Sequence, residues 1–249
     1  MGENTLLYSD LNKVTQDAID AISITNNPVF IIKDNLQKTV LLSCLSYEKM
    51  LAGVSVEGER ARIEELEAAY IRFLLLAATI MDTHESYLSG HCERVAMLSC
   101  AVADGLGMSE QEINDLQLAA LLHDIGEIVV PTDILQKPGK LSKEELDIIH
   151  QHPRVGAELL APIQNYKNIA EIIYSHQEKF NGSGYPRGLK GEEIPMGSRI
   201  ISITSTYDAL TNLRLHRETG NHDLAIEEIR RCSGIDFDPQ IVDVFLRIF

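Results

Sequence analysis

Five side chains able to hold a divalent metal recur through the middle of the chain: His91, the adjacent pair His123 and Asp124, His152 and His176. Imidazole and carboxylate donors suit iron, manganese or zinc. A carboxylate beside a histidine can bridge two ions, and a dinuclear centre of that kind makes a hydroxide nucleophile and clamps a phosphate. His176 shows which way such a ring would point. Ile169, Ile172, Ile173 and His176 follow i, i+3, i+4, i+7 spacing, so on a helix they share one apolar, inward face. A single inward histidine is more often a hydrogen-bonded core residue than a ligand. Several from separate segments, together with an aspartate, favour a shared site, because helical bundles build metal centres from inward side chains on facing helices.

Helices must carry these residues, and helical signals are strong from Arg60 onward. Ile63, Leu66, Tyr70, Phe73, Leu74 and Ala77 form one long apolar stripe, and Val95, Leu98, Val102 and Leu106 form the next. Ser109 with Glu112, and Ser142 with Glu145, are capping-box signatures that open further helices. Pro153 directly after His152 suits a new helix with proline in its first turn. A helix over 167–177 leads into the glycine-rich loop Asn181-Gly-Ser-Gly-Tyr-Pro186, and helices over 197–212, 222–232 and 239–249 complete the pattern. The fold class expected is all-α: a helical bundle over 63–249 preceded by a small, mainly helical appendage over 1–62. In that appendage Leu11 to Ile22 and Leu36 to Leu51 read as helices, and Pro28 to Lys33 as a short strand or buried turn. No chemical motif appears there, and dimerisation or signal input is its expected role.

Composition narrows the partners. Hydrophobic residues make up 45% and charged residues 24%, ordinary values for a globular protein. A formal net charge of −15 argues against DNA or RNA, whose backbones need a basic face. A small phosphate ligand stays compatible if metal or clustered arginine supplies local positive charge. No apolar run approaches the ~20 residues of a membrane span. Nothing at the start reads as an export signal. Cys44, Cys92, Cys100 and Cys232 are scattered without a CxxC pair, so reduced thiols and a cytoplasmic address are expected.

The order of motifs adds a second line of reasoning. His91-Cys-Glu-Arg-Val95, Ala120-Leu-Leu-His-Asp-Ile-Gly126, Leu135-Gln-Lys-Pro-Gly-Lys-Leu141, His152-Pro-Arg-Val-Gly156, His176-Gln-Glu178 and Asn181 through Leu189 together resemble the HD-GYP family. Glu193-Ile-Pro195, Arg199-Ile-Ile201, Tyr207-Asp-Ala-Leu-Thr211 and Phe237-Asp-Pro239 continue the resemblance over roughly residues 66 to 249. That family is the branch of the HD phosphohydrolases that hydrolyses the bacterial second messenger cyclic di-GMP. The resemblance implies that His91, His123 and Asp124 hold one metal, and that Asp124 bridges to a second held by His152 and His176. His123 and Asp124 would form the catalytic centre. Tyr185, in the Gly184-Tyr185-Pro186 loop, would lie beside the substrate, or else in a proline-stiffened turn without ligand contact. Arg214 and Arg217 fall where basic residues meet the ligand's phosphates, a task suited to the guanidinium fork; a solvated helix end is the other reading.

Three positions depart from the family pattern. Gln177 stands where a second histidine is usual, Ser205 where a metal-binding aspartate is usual, and Glu127 where a lysine follows the His-Asp motif. Gln177 and Ser205 are weak ligands, so one or two ions would be held less tightly. Glu127 removes a positive charge, although a glutamate one turn from Asp124 could instead act as a replacement ligand. Two functions follow from the resemblance. One is a phosphodiesterase acting on cyclic di-GMP or a related phosphate ester, with activity impaired by the three changes. The other is a nucleotide-binding or protein-interaction relay, with a homodimer or a signalling protein as partner.

Overall fold

Helix caps written in the sequence set the first boundaries of the structure. Ser109 accepts from the Glu112 backbone N–H while Glu112 accepts from the Ser109 backbone N–H at 2.8 Å, and Ser142 and Glu145 make the same reciprocal pair. Each pair satisfies donors that a helix start leaves open. The computed structural model describes residues 29–33, 37–41, 56–84, 90–212 and 222–249. The chain divides into two units, Met1–Leu66 and Glu67–Phe249.

In the first unit, β1 (Val29–Lys33) pairs antiparallel with β2 (Gln37–Leu41), Val29 opposite Leu41 and Lys33 opposite Gln37. The strand reading of Val29 to Lys33 agrees with this hairpin. The helix expected from Leu36 does not: residues 37–41 are a strand. The β-branched pair Thr39-Val40 and the ladder offered by Val29-Phe-Ile-Ile outweigh a weak helical pattern. The helix expected at Leu11 to Ile22 lies outside the described residues.

Elsewhere the regular elements of the described residues are helices, joined by turns and loops. α1 (Val56–His84) crosses the boundary between the units. It is followed by α2 (His91–Gly105), α3 (Glu110–Leu122), a 3-10 turn (Ile125–Val129), α4 (Thr132–Leu135), α5 (Lys143–Ile149) and α6 (His152–Leu160). Then come α7 (Lys167–Ser175), α8 (Met196–Thr211), α9 (His222–Arg231) and α10 (Pro239–Ile248). Among the described residues no helix is long and apolar enough to cross a membrane. The core of the second unit is built from α2, α3, α7, α8 and α10, with Val95, Leu116, Ile173, Ile200 and Phe245 buried at its centre. α2 lies against α3, α8 and α10, and α6 lies against α7 and the 3-10 turn. The stripe expected on α1 is divided. Leu74 is buried beside Ile71 and Ala78, and Tyr70 and Ala77 pack against the core, whereas Ile63, Leu66 and Phe73 are exposed. The core-facing row of this helix therefore runs through Ile71, Leu74 and Ala78, at i, i+3, i+7.

Candidate metal centre

α3 ends at Leu122, so His123 and Asp124 occupy the junction between that helix and the 3-10 turn. Gly126 fixes where the junction sits. A Cβ there would lie 1.9 Å from the His152 carbonyl oxygen and 2.7 Å from the Gly156 nitrogen. Only a glycine lets the turn press onto the start of α6, and that approach brings His152 towards Asp124. His176 caps the C-terminus of α7, whose Ile169 and Ile173 are buried as the periodicity predicts. His91 opens α2.

The four imidazoles converge on one carboxylate. Asp124 Oδ2 lies 3.0 Å from His123 Nε2 and 3.9 Å from His91 Nε2. Its Oδ1 lies 3.5 Å from His176 Nε2 and 3.7 Å from His152 Nε2. All four rings are buried. Among the described residues, ligand atoms of His91, His123 and Asp124 lie within 4.8 Å of one another, and so do those of Asp124, His152 and His176. Every metal position implied by the resemblance falls in one of these two groups.

Hydrogen bonds decide which nitrogen faces inward. Nδ1 donates to Ala120 O from His123 at 2.8 Å, to Ile149 O from His152 at 2.8 Å, and to Ile173 O from His176 at 2.7 Å. A carbonyl can only accept, so Nδ1 carries a proton in each ring and Nε2 is the nitrogen turned towards the site. His91 reaches the same state differently: its Nδ1 lies 2.7 Å from Asp208 Oδ2. Four Nε2 atoms thus face the Asp124 carboxylate. Such a donor set fits a divalent metal, and two local features agree. His123 Nε2 is buried against Asp124 Oδ2, and His152 Nε2 and His176 Nε2 stand 3.2 Å apart. Two lone pairs at that distance need a cation or a proton between them.

The electrostatics of the protein alone show the same demand. Burial opposes charge on His123, but the Asp124 carboxylate outweighs it and pushes the imidazole well above its ordinary range. Burial opposes ionisation of Asp124 as well, but His123 outweighs it and holds the carboxylate well below its usual range. At His152, burial and then His176 push the pKa down to about 4, leaving a neutral ring at pH 7. A metal would take the place of the His123 proton.

The remaining site positions surround this core. The Tyr185 ring stacks on His150 at 3.9 Å and stands edge-on to His152 at 6.3 Å. Burial, then Asp124 and Glu127, push its phenol far up, so the hydroxyl stays protonated. Gly184 lets this loop fold back, since a Cβ would meet the Lys179 nitrogen at 2.3 Å. The buried Glu178 carboxylate holds the loop by accepting from the backbone N–H groups of Arg187, Gly188 and Leu189. Ser205 Oγ lies 3.5 Å from His91 Nε2, so the residue replacing the usual aspartate does face the first group. Glu127 joins neither metal group. It sits in the 3-10 turn rather than on an extension of α3, which removes the helix-face argument for a replacement ligand. Arg214 and Arg217 lie outside the described residues. Sequence reasoning left out Asp208, Glu178 and His150. For Asp208 a signal existed: Arg94, one turn from His91, needs an acidic partner to be held beside a buried ring.

A helical domain that gathers four histidines about an aspartate at a helix end is a histidine–aspartate domain, and a family model described as the HD domain matches residues 76–241. The chain belongs to the HD-domain family, in its HD-GYP branch. It is 37% identical over 189 residues to a cyclic di-GMP phosphodiesterase response regulator of Xanthomonas campestris, covering 75% of this chain and 50% of that protein. It is 35% identical over 230 residues to a cyclic di-GMP phosphodiesterase of Thermotoga maritima, covering 91% and 60%. A 3′3′-cGAMP-specific phosphodiesterase of Vibrio cholerae is 35% identical over 176 residues, 70% of this chain and 38% of that one. The chain spans about half the length of the curated relatives it matches. Among solved structures, a cyclic GMP-AMP-specific phosphodiesterase of V. cholerae shares the fold with a TM-score of 0.55 at 24% identity, covering 71% of this chain and 48% of that one.

Proposed function

We propose that this chain is a metal-dependent phosphodiesterase domain that opens a cyclic dinucleotide, cyclic di-GMP first among them. One observation carries the reading: four buried Nε2 atoms, each ring fixed by a hydrogen bond at Nδ1, aimed at the two oxygens of Asp124. His91, His123 and Asp124 would hold one ion, and Asp124, His152 and His176 a second. When bound, such ions supply Lewis acidity towards phosphate oxygens and lower the pKa of a water. The chain's own residues position the ligand. The protonated Tyr185 hydroxyl can donate to a phosphate oxygen, and the His150–Tyr185 stack offers a flat wall to a base. Arg214 and Arg217 are assigned to the ligand's other phosphate. Hydrolysis would add the oxygen of water to phosphorus, break the bond from phosphorus to a ribose oxygen and return a proton to that oxygen, giving a linear dinucleotide. The curated relatives' names support the substrate class, since both cyclic di-GMP and cGAMP appear among them.

A second reading, a binding relay with little turnover, draws on Ser205. Its hydroxyl faces His91 without a charge, and the group that would hold the first ion has three candidate protein ligands among the described residues. Protein purified without chelator and assayed with cyclic di-GMP in added Mn²⁺ separates the two. Bound metal with linear product supports the enzyme; nucleotide binding without turnover supports the relay. His123→Ala and Asp124→Ala should each abolish metal retention while the helical circular dichroism signal persists. Metal content that survived both changes would place the centre elsewhere.

A further inference from the structure

We infer that Asp208 is a positioning residue that sets the strength of one metal group and not the other, acting through His91. This rests on the metal reading above. Three of the four site histidines are oriented by local backbone carbonyls three residues earlier in the chain, which are neutral acceptors. His91 alone among the four is oriented by a carboxylate, 117 positions away on α8. That carboxylate is itself held firmly. Arg94 Nε donates to Asp208 Oδ1 at 2.6 Å and its Nη2 donates to Oδ2 at 3.0 Å, while Asn212 Nδ2 donates to Oδ1 at 2.8 Å. The Arg94 fork on both oxygens pairs the carboxylate with a fixed positive charge.

A carboxylate paired with a guanidinium does two things on Nδ1 that a carbonyl does less well. It fixes the ring's rotation about a charged contact, and it draws the Nδ1 proton towards itself, which makes Nε2 a stronger donor to a cation. The group that receives this help is the one that needs it. His91, His123 and Asp124 make up the group in which Ser205 replaces a carboxylate ligand, with its hydroxyl 3.5 Å from the same Nε2. Negative charge absent from the inner ring of that group is supplied one bond further out. The second group has no such support, since His152 and His176 lean on peptide carbonyls.

The alternative is that Asp208, Arg94 and Asn212 merely staple α2 to α8. A double-mutant cycle distinguishes the two. The full chain, Asp208→Asn, His91→Ala and the double variant are each titrated with Mn²⁺ alone, free ion being counted by electron paramagnetic resonance. Asp208→Asn should weaken one bound ion by ~10–100-fold and leave the other's affinity unchanged. In the His91→Ala background the same substitution should add nothing, because the ring it acts through is gone. Arg94→Lys, at a partly exposed position, keeps the charge but loses the fork, and should shift the same ion in the same direction by less. It serves as the test if Asp208→Asn does not fold. An equal loss with and without His91, or no loss in either variant, overturns the inference while the metal reading stands. A wild-type chain that takes up no Mn²⁺ overturns both.

Discussion

His123 and His152 occupy the same centre with opposite proton affinities, and the contrast has a measurable consequence. His123 keeps its proton at neutral pH in the metal-free protein because Asp124 stands 3.0 Å away, whereas His152 has given its proton up. Metal uptake at pH 7 should therefore release about one proton per chain, drawn from His123. Titration in weak buffer reads this directly, and release near zero would contradict the assignment. The sign of the stability effect follows for His152. Its folded pKa of about 4 lies below the unfolded value of ~6.5, so its contribution is complete above pH ~6.5 and is lost as pH falls towards about 4. Metal-free protein should lose thermal stability across that window, and His152→Gln should flatten the slope. At Ser205 the geometry predicts a gain. A carboxylate at that position would reach His91's partner ion, so Ser205→Asp combined with Gln177→His should raise metal occupancy, measured by elemental analysis of chelator-free protein.

Between elements, close backbone approach matters more than side-chain chemistry. The 3-10 turn and α6 touch through Gly126, where an added methyl group would overlap backbone atoms rather than a flexible side chain. Gly126→Ala must push the turn and helix apart, separating Asp124 from His152. Overpacking of this kind costs ~1–3 kcal/mol or more, a fall in thermal midpoint of roughly 2–10 °C for a domain this size. Metal affinity should drop further than that stability change implies, because the approach is what brings Asp124 and His152 together. Retained affinity with a lowered midpoint would show that the contact serves packing only.

At the scale of the whole molecule, the buried core cluster of the described residues begins at Ile71, inside the second unit. Both metal groups lie within the second unit. A fragment of residues 56–249, which keeps α1 whole, should therefore fold cooperatively and bind metal with the affinity of the full chain. Circular dichroism melting and Mn²⁺ titration test this, and a fragment that is helical yet metal-free would assign the N-terminal unit a part in building the centre.

Local signals sufficed for much of this protein. Capping boxes at Ser109 and Ser142, the proline after His152 and the isoleucine spacing before His176 are each contained within one or two helical turns, and each predicts its element because the physics involved is equally short in range. Even the tautomers of His123, His152 and His176 depend on carbonyls three residues back. The motif order was enough to identify the family and to name the five side chains that the fold gathers. Other features came only with the folded chain. Residues 37–41 became a strand because a partner strand was present, and α1 turned Ile71, Leu74 and Ala78 inward in place of Ile63, Leu66 and Phe73. The orientation of His91 depends on a carboxylate on another helix. Contacts of that kind join segments far apart in the chain, and their free energy depends on where each segment lies, which a local pattern of residues does not encode.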